Sequence, residues 1–576
     1  MPRTWVKRND RPANPAAADW ADKLGISERL CGLLWDRGLD SLAAMDVYLS
    51  PLLRHLAPLE DWPGLDAAAR VLADGLAAGK QLAVWGDYDV DGVTSTALVH
   101  QVLAGRGLAV RTYLPDRTSE GYGLNAAGIE TLAAEGVGLL LTVDCGISDV
   151  AEVRRAKELG LTVVVCDHHL PGAELPPADA VLDPRLCDCP CADLAGVGTA
   201  FLLLAAVNKL LPGPGPGPVD MREVLDLVAV GSIADVVKLT GQNRILVKNG
   251  LLKVAEARRP GLAALKEASG FSPTAALGAG QVGFSLAPRI NAAGRLGSAR
   301  DALDLMLAPD HAAAAPLAKR LDELNGQRQR TEETILNEAL EQAKAKLDRP
   351  GLVLFAPHWH AGVIGIVASR VVEAHYRPTL ILTRDGERLK GSGRSTEEVD
   401  LHGALTACAS ILAGFGGHRQ AAGLSIAPEN LEALEAAFCA AVMEQIGPEP
   451  LTPTLRLDGE LPFSEVGFDL LKELELMQPF GPGNPEPTFF SPPVKVSGHK
   501  VFGKGHVRLS LLDETSRITL TAKAWRQAES LPRSLAGKTI QVAFRPRIDR
   551  YSGIPTIELD VKDWREPGEG NAGISS

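Results

Sequence analysis

The chain has 576 residues, 45% of them hydrophobic, which is enough for large buried cores and for three or four domains. Its net charge of −12 excludes indiscriminate attraction to nucleic acid over the whole surface. The longest apolar stretch, Ala195–Val207, falls short of the ~20 residues that span a bilayer, and the opening MPRTWVKRND has no signal-peptide core; a soluble, cytoplasmic protein without membrane partners is expected.

Residues 1–60 read as a small helical segment closed by turn signals at Pro58 and Pro63. A strand over Gln81–Gly86 then delivers Asp87, Asp89 and Asp91 at alternate positions, and Val93–Leu103 continues as a helix. Three like charges this close repel strongly unless a cation sits among them; a solvated acidic turn is the other reading of the motif by itself. Next come a strand candidate at Ala109–Pro115, with Arg117 just beyond it, and a helix at Asn125–Ala134. The buried run Gly138–Val143 ends on Asp144, and after a helix around Glu152–Leu159 the run Leu161–Cys166 ends on Asp167-His168-His169. β-Branched runs alternating with helices indicate a parallel sheet covered on both faces, and such sheets bind ligands outside the carboxyl ends of their strands. Three strands finishing on Asp or His at that end point to one convergent metal pocket. A further apolar segment, Val228–Ala234, closes on Asp235.

Eight cysteines in so long a chain make no disulfide scaffold. Cys145 and Cys166 stand beside the acidic motifs, which keeps zinc open there, whereas Cys187-Asp188-Cys189-Pro190-Cys191 lacks CxxC pairs and reads as a reduced loop. The run Pro212–Pro218 alternates Pro and Gly and reads as a surface loop between helices. His311–Leu347 is a long connecting helix interrupted only by Pro316 and Gly326, with Arg328 and Arg330 either on a solvated face or turned to a cleft. Residues 350–446 form a second α/β unit, with strands at Leu352–Phe355 and Thr379–Leu382 and two glycine-rich turns, Lys390–Ser395 and the segment around His418. Glycine-rich turns bring backbone N–H groups close to phosphate, and Arg394 adds a fork that suits it.

From Lys495 to Tyr551, twelve basic residues stand against four acidic ones, among short strand candidates at His506–Leu511, Ile518–Ala524 and Thr539–Phe544. Phe502, Trp525, Phe544 and Tyr551 interleave with the cations. Small barrels that bind single strands need this mixture of backbone-tracking cations and stacking faces, worth ~1–3 kcal/mol per base. Trp525 and Phe502 are the candidate stacking residues.

Asp87-Tyr88-Asp89-Val90-Asp91-Gly92, Asp144, Asp167-His168-His169 and Gly231-Ser232-Ile233-Ala234-Asp235 are together similar to the four motifs of the DHH phosphoesterase superfamily. Gly416-Gly417-His418 through Gly423 resembles the signature of its accessory DHHA1 domain, and Ala287-Pro288-Arg289-Ile290-Asn291-Ala292-Ala293-Gly294-Arg295 resembles a segment of the RecJ branch, single-strand-specific 5′→3′ exonucleases of bacteria. The likeness runs from about Trp20 nearly to the end. It implies an α/β protein with a parallel-sheet DHH domain over 61–310, a long helix over 311–348, an α/β DHHA1 domain over 349–448, a C-terminal OB-like β-barrel over 449–568 and a disordered tail, 569–576. It also implies two divalent cations, bridged by Asp144 and completed by Asp89, Asp91, His168 and Asp235, with Asp87 and His169 as ligands or as orienting residues. Related phosphatases carry a histidine where this chain has Trp85, so Asp87 could substitute in the first shell. A mostly carboxylate set with one or two imidazoles suits Mn²⁺, with Mg²⁺ possible. Asp144, His168 and His418 would be catalytic, His418 at the scissile phosphate, with phosphates bound by Arg289, Asn291, Arg295, Ser392 and Arg394. Arg117 reads either as a ligand of the terminal 5′-phosphate or as a surface arginine.

Metal-dependent 5′→3′ degradation of single-stranded DNA to 5′-mononucleotides, in DNA repair and recombination, is therefore the expected activity. A single-strand-binding protein and a helicase are the partners the family implies, and the chain is expected to be monomeric. The same catalytic domains also serve hydrolases of short oligonucleotides or cyclic dinucleotides, which generally lack the basic barrel. A non-catalytic replication scaffold of this fold would have lost ligands that are all present here.

Overall fold

A computed structural model of the chain describes residues 3–117, 119–211, 217–550 and 553–568. The expected tail at 569–576, Tyr551 and residues 212–216 of the Pro–Gly run lie outside the described residues. Two compact units divide the chain: one comprises Trp5–Gly294, Ser298–Lys319 and Arg456–Ser576, the other Met1–Thr4, Arg295–Gly297 and Arg320–Leu455.

In the first unit the start of the chain corrects the expectation of a purely helical segment, because Thr4–Lys7 is a strand, β1. Trp5 is nearly buried and its Nε1 donates to Asp563 at 2.8 Å. The following helices, Ala17–Leu24, Glu28–Asp36 and Leu42–Leu49, are no separate prelude either: Leu30, Leu34 and Met45 belong to one apolar cluster with Phe463, Phe489 and Phe544 of the C-terminal barrel. Five parallel strands, β2 (Gln81–Gly86), β3 (Val110–Tyr113), β4 (Val137–Val143), β5 (Thr162–Cys166) and β6 (Ala180–Leu182), form a sheet in the order β3-β2-β4-β5-β6. Its central strands are buried on both faces, as their unbroken apolar runs require. Helices Val90–Gly105, Gly196–Leu210 and Leu225–Ala234 pack together beside it.

In the second unit, β7 (Leu352–Phe355), β8 (Thr379–Asp385), β9 (Arg388–Arg394), β10 (Gly414–Gly417) and β11 (Ala421–Ile426) form a sheet in the order β10-β11-β9-β8-β7. The first stretch expected as a glycine-rich turn is therefore strand β9, and the second is a hairpin, β10 and β11, whose connection carries His418. Glycine is a poor strand former by itself, but here packing overrides propensity: a Cβ at Gly391 would sit 2.9 Å from Leu424 and one at Gly393 2.7 Å from Leu380. Helix His311–Lys344 runs for 34 residues with Pro316 inside it, where the missing N–H removes one i→i−4 bond without ending the helix. Arg328 is buried in that helix against Asn325 and Glu332 and is not a solvated residue.

A two-stranded sheet pairs β1 with β12 (Thr454–Leu457), and the barrel follows: β13 (Phe489–Phe490), β14 (Val494–Phe502), β15 (His506–Asp513), β16 (Ile518–Ala524), β17 (Thr539–Asp549) and β18 (Thr556–Arg565). Pairing of β17 with both β14 and β18, and of β16 with β18, closes the sheet on itself. Along β15, Val507, Leu509 and Leu511 fill the interior while Arg508 and Ser510 face out. One buried cation fastens this domain to the helices beside the parallel sheet. Arg244, 2% exposed, donates to the carbonyls of Tyr48 (3.0 Å), Met477 (2.9 Å) and Leu476 (3.1 Å). No helix among the described residues is long and apolar enough to cross a membrane.

Candidate functional site

The acidic motifs meet at the carboxyl ends of β2, β4 and β5. Asp89 caps the helix that follows β2, its Oδ1 accepting from Asp91 N–H (2.8 Å) and Gly92 N–H (3.2 Å). Asp91, 1% exposed, accepts from Gly196 N–H (2.8 Å) and Val197 N–H (2.9 Å), so the N-terminus of a second helix holds its carboxylate. Asp144 follows β4 at φ +60°, a conformation unfavourable for a residue other than glycine and one that concentrates at functional sites. His168 Nε2 faces three carboxylates at once: Asp144 at 3.0 Å, Asp235 at 3.7 Å and Asp91 at 3.8 Å. Three groups that could hold a cation result, Asp144 with His168 and His169, Asp91 with His168 and Asp235, and Asp87 with Asp89 and Asp144, each with donor atoms within 4.8 Å of one another. Asp144 and His168 each belong to two of them.

Burial, and then the charges of their neighbours, push the carboxyls of Asp87, Asp91 and Asp144 well above the ordinary range, and that of Asp235 up to about 7. Burial with His169 beside it lowers His168 to about 3, which leaves its imidazole neutral and able to ligate. Asp87 Oδ1 and His168 Nδ1 are buried with no hydrogen-bond partner. Such a pile-up of acids, orphan oxygens and neutral imidazole fits hard divalent cations and not thiolate-seeking metals. Cys145 and Cys166 are fully buried in the core, where burial raises their thiols.

Asp167 does different work from its neighbours in the DHH triplet. Burial opposes its ionisation, yet bonds from His169 Nδ1 (2.8 Å) and the N–H groups of Ile147 (2.9 Å) and His168 (2.7 Å) hold its carboxyl below the ordinary value. His169 is thereby oriented, and although burial pulls its pKa down, the bond to Asp167 raises it to about 9. Sequence reasoning missed Tyr122, whose hydroxyl lies 3.1 Å from His169 Nδ1 and 3.4 Å from Asp144 O. Its only signal is the Gly121-Tyr122-Gly123 turn, both glycines having positive φ.

Arg117 stands 5.0 Å over the Tyr88 ring in the acidic loop. Arg289 and Asn291 lie on helix Ala287–Leu296, entered through a π-helical turn at Val282–Leu286; Arg289 Nη1 donates to Ser285 O at 2.6 Å. These three share a unit with the carboxylates, whereas Arg295, Ser392, Arg394 and His418 belong to the other. There Arg295 Nη1 donates to Gly362 O at 2.8 Å, and Arg394 Nη1 to Ser392 Oγ at 3.3 Å. A Cβ at Gly365 would lie 2.9 Å from that Oγ, so only glycine lets the uncapped start of helix Ile364–His375 approach Ser392 and Arg394. Helix N-terminus, hydroxyl and guanidinium converge there on a spot suited to phosphate. His418 is exposed just beyond β10, its N–H donating to Ala421 O at 2.8 Å.

On the barrel, Lys500, Arg508 and Lys523 form a cross-strand row over β14, β15 and β16. Beside it Phe502, His506 and Trp525 form an aromatic patch with ring centroids 5.0–6.0 Å apart, Trp525 being 50% exposed, while Phe544 is core. The basic count from sequence overstates the free charge. Lys495, Lys523, Lys538, Arg545, Arg547 and Arg550 all pair with acids, several of which (Glu475, Glu486, Glu558, Glu566) lie outside the basic stretch.

Three family models match the chain: the DHH family N-terminal domain over residues 81–232, the DHHA1 domain over 348–444 and the RecJ OB domain over 457–563. The single-stranded-DNA-specific exonuclease RecJ of Thermus thermophilus is 37% identical over 570 residues, covering 97% of this chain and 79% of its own length. The protein of that name from Salmonella typhimurium is 34% identical over 569 residues, covering 92% of this chain and 98% of its own length. Among solved structures, RecJ from Thermus thermophilus in complex with Mn²⁺ matches with a TM-score of 0.83 at 34% identity, over 98% of this chain and 80% of that one. The corresponding Mg²⁺ complex matches with a TM-score of 0.77 at 32% identity, over 98% of this chain and 78% of that one.

Proposed function

The chain belongs to the RecJ family of single-stranded-DNA-specific exonucleases, and on that premise we propose that it degrades single-stranded DNA from the 5′ end to 5′-mononucleotides. Asp87, Asp89, Asp91, Asp144, His168, His169 and Asp235 would hold two divalent cations, Mn²⁺ or Mg²⁺. Bound there, such a pair supplies electrostatic stabilisation of the attacking and leaving oxygens at phosphorus. The observation that carries this reading is the double membership of Asp144, in the Asp87–Asp89 group and in the His168 group, which supports a bridging role.

The protein's own groups do the rest. Neutral His168 keeps Nε2 open to ligation, while Asp167 fixes the ring of His169. Arg117, Arg289, Asn291, Arg295, Ser392, Arg394 and His418 would bind phosphate oxygens, His418 at the scissile group. Lys500 and Arg508, opposite one another on β14 and β15, would track the backbone downstream, with bases stacking on Trp525 and Phe502. A closed barrel carrying such a platform favours long single strands over dinucleotides as substrates. In the cell we place the enzyme in the cytoplasm as a monomer, working in repair and recombination after a helicase and beside a single-strand-binding protein.

Polarity is tested with one oligonucleotide labelled at either end and incubated with Mn²⁺. Release of the 5′ label as mononucleotide at the earliest times, with the 3′ label liberated last, is the expected result; the reverse order refutes the proposal.

A further inference from the structure

One face of the sheet in the second unit is only half covered. Residues directly opposite one another across its strands point to the same side, so Lys390, Ser425 and Gly414 form one row, and Ser392, Gly423 and Gly416 the next. Ser392 lies against the start of helix Ile364–His375. Farther along the same face Arg388, Lys390, Gly423, Gly414 and Gly416 are all exposed, and none of the described residues covers them. An open groove of about 500 Å³ lies there, floored by glycines and Ser425 and bordered by Arg388 and Lys390.

Two features separate this groove from an ordinary solvated surface. Arg388, Lys390, Ser392 and Arg394 alternate along β9 on one face, a row about 20 Å long that ends at the phosphate-suited spot described above. Among the described residues neither Arg388 nor Lys390 forms an ion pair, and Asp385 is the single acid among the lining residues, in a chain whose net charge is −12. The floor is equally unusual: a Cβ at Gly416 would meet nothing within 4 Å, so the groove is shallow because side chains are missing and not because they fold away. Phe415 is the one aromatic among its lining residues, and its ring packs against the core on the other side of the sheet.

The geometry points to a track for the sugar–phosphate backbone of single-stranded DNA, in which Arg388 and Lys390 contact consecutive phosphates and no base is read. A row of unpaired cations over a bare floor matches an extended polyanion, and contacts of this kind position without specifying sequence. The inference rests on the reading of the chain as a single-strand nuclease.

The test compares the wild type with the double variant Arg388→Glu/Lys390→Glu and with Ser425→Glu, which sets a carboxylate on the floor opposite Lys390. Dissociation constants for a long oligothymidylate are measured in EDTA from 50 to 200 mM salt, together with melting temperatures and the rate on a short oligonucleotide in Mn²⁺. Losing two phosphate contacts lowers the slope of log affinity against log salt by about 1.4, a several-fold loss at the lowest salt that shrinks as salt rises. Both variants should show weaker binding with an unchanged melting temperature and an unchanged rate on the short substrate, while Ser425→Gln should bind as the wild type does. Unaltered affinity and slope in the folded double variant overturn the track and leave the face to an acidic protein partner. A wild type that fails to degrade single strands at all would instead sink the underlying functional reading.

Discussion

Asp144 combines a left-handed backbone, contact with His168 and membership of two ligand groups, so its carboxylate has no substitute within the cluster. Asp144→Asn should leave the fold intact and lower the hydrolysis rate at least a hundredfold, on the order of 2.7 kcal/mol of barrier. Binding of single strands in EDTA should change little, because the cationic surfaces lie elsewhere; retention of more than a tenth of the wild-type rate would remove the bridge. The same acids set a pH dependence. The raised pKa of Asp235, about 7, means that from about 4 upward the folded metal-free protein retains a proton that the unfolded chain has released. Its contribution to stability is therefore lost as pH rises through that window, and the other raised acids act in the same direction. Mn²⁺ reverses this by binding the ionised carboxylates. The melting temperature of EDTA-treated protein should fall between pH 5 and pH 8, and the rise on adding Mn²⁺ should be larger at pH 8. At this scale the clustering of the acids and histidines was legible because Asp144, Asp167 and His168 each follow a strand of the parallel sheet. Tyr122 was not, since nothing in a loop tyrosine's sequence says which ring it will face.

Elements were legible where one signal dominated. The unbroken apolar runs of β4 and β5 announce buried parallel strands, and they form. β9 and β10 were read as turns because glycine signals a turn locally, whereas close packing of Leu380 and Leu424 on glycine is a tertiary fact. On the barrel, charge counted along the chain missed acids that arrive from other elements, such as Glu486 against Arg545 and Arg547. Trp525 is half-exposed beside Phe502 and His506, and Lys523 Nζ lies 5.9 Å from its ring. Trp525→Ala should cost about 1–3 kcal/mol of single-strand affinity, and the loss should persist at high salt, where the electrostatic part is screened. A lower melting temperature with an unchanged dissociation constant would make the residue structural instead.

At the scale of the molecule, the N-terminal helices, the catalytic sheet and the barrel act as one unit, a relation invisible in sequence because residues near 30 and near 540 share a core. Arg244 sits at that junction with three carbonyls as its partners. Arg244→Met leaves the Tyr48 carbonyl without its partner, while the Met477 carbonyl keeps Asn484 Nδ2 at 2.8 Å, and should destabilise the protein by about 1–3 kcal/mol, read as a lower melting temperature with the rate on short substrates preserved at 20 °C below it. For the same reason, removing the residues beyond 455 alone should yield poorly soluble protein, because Leu30, Leu34 and Met45 lose their cover. The claim on which the whole account turns is that the Asp/His cluster hydrolyses single strands only with divalent cations bound. Its direct test is the degradation of 5′-labelled single-stranded and duplex DNA by metal-stripped protein, before and after a titration with Mn²⁺. The account expects no product in EDTA, then mononucleotides from the single strand as Mn²⁺ is added, with the duplex intact and Asp144→Asn inert throughout. Undiminished activity in excess EDTA, or equal degradation of duplex, would contradict it.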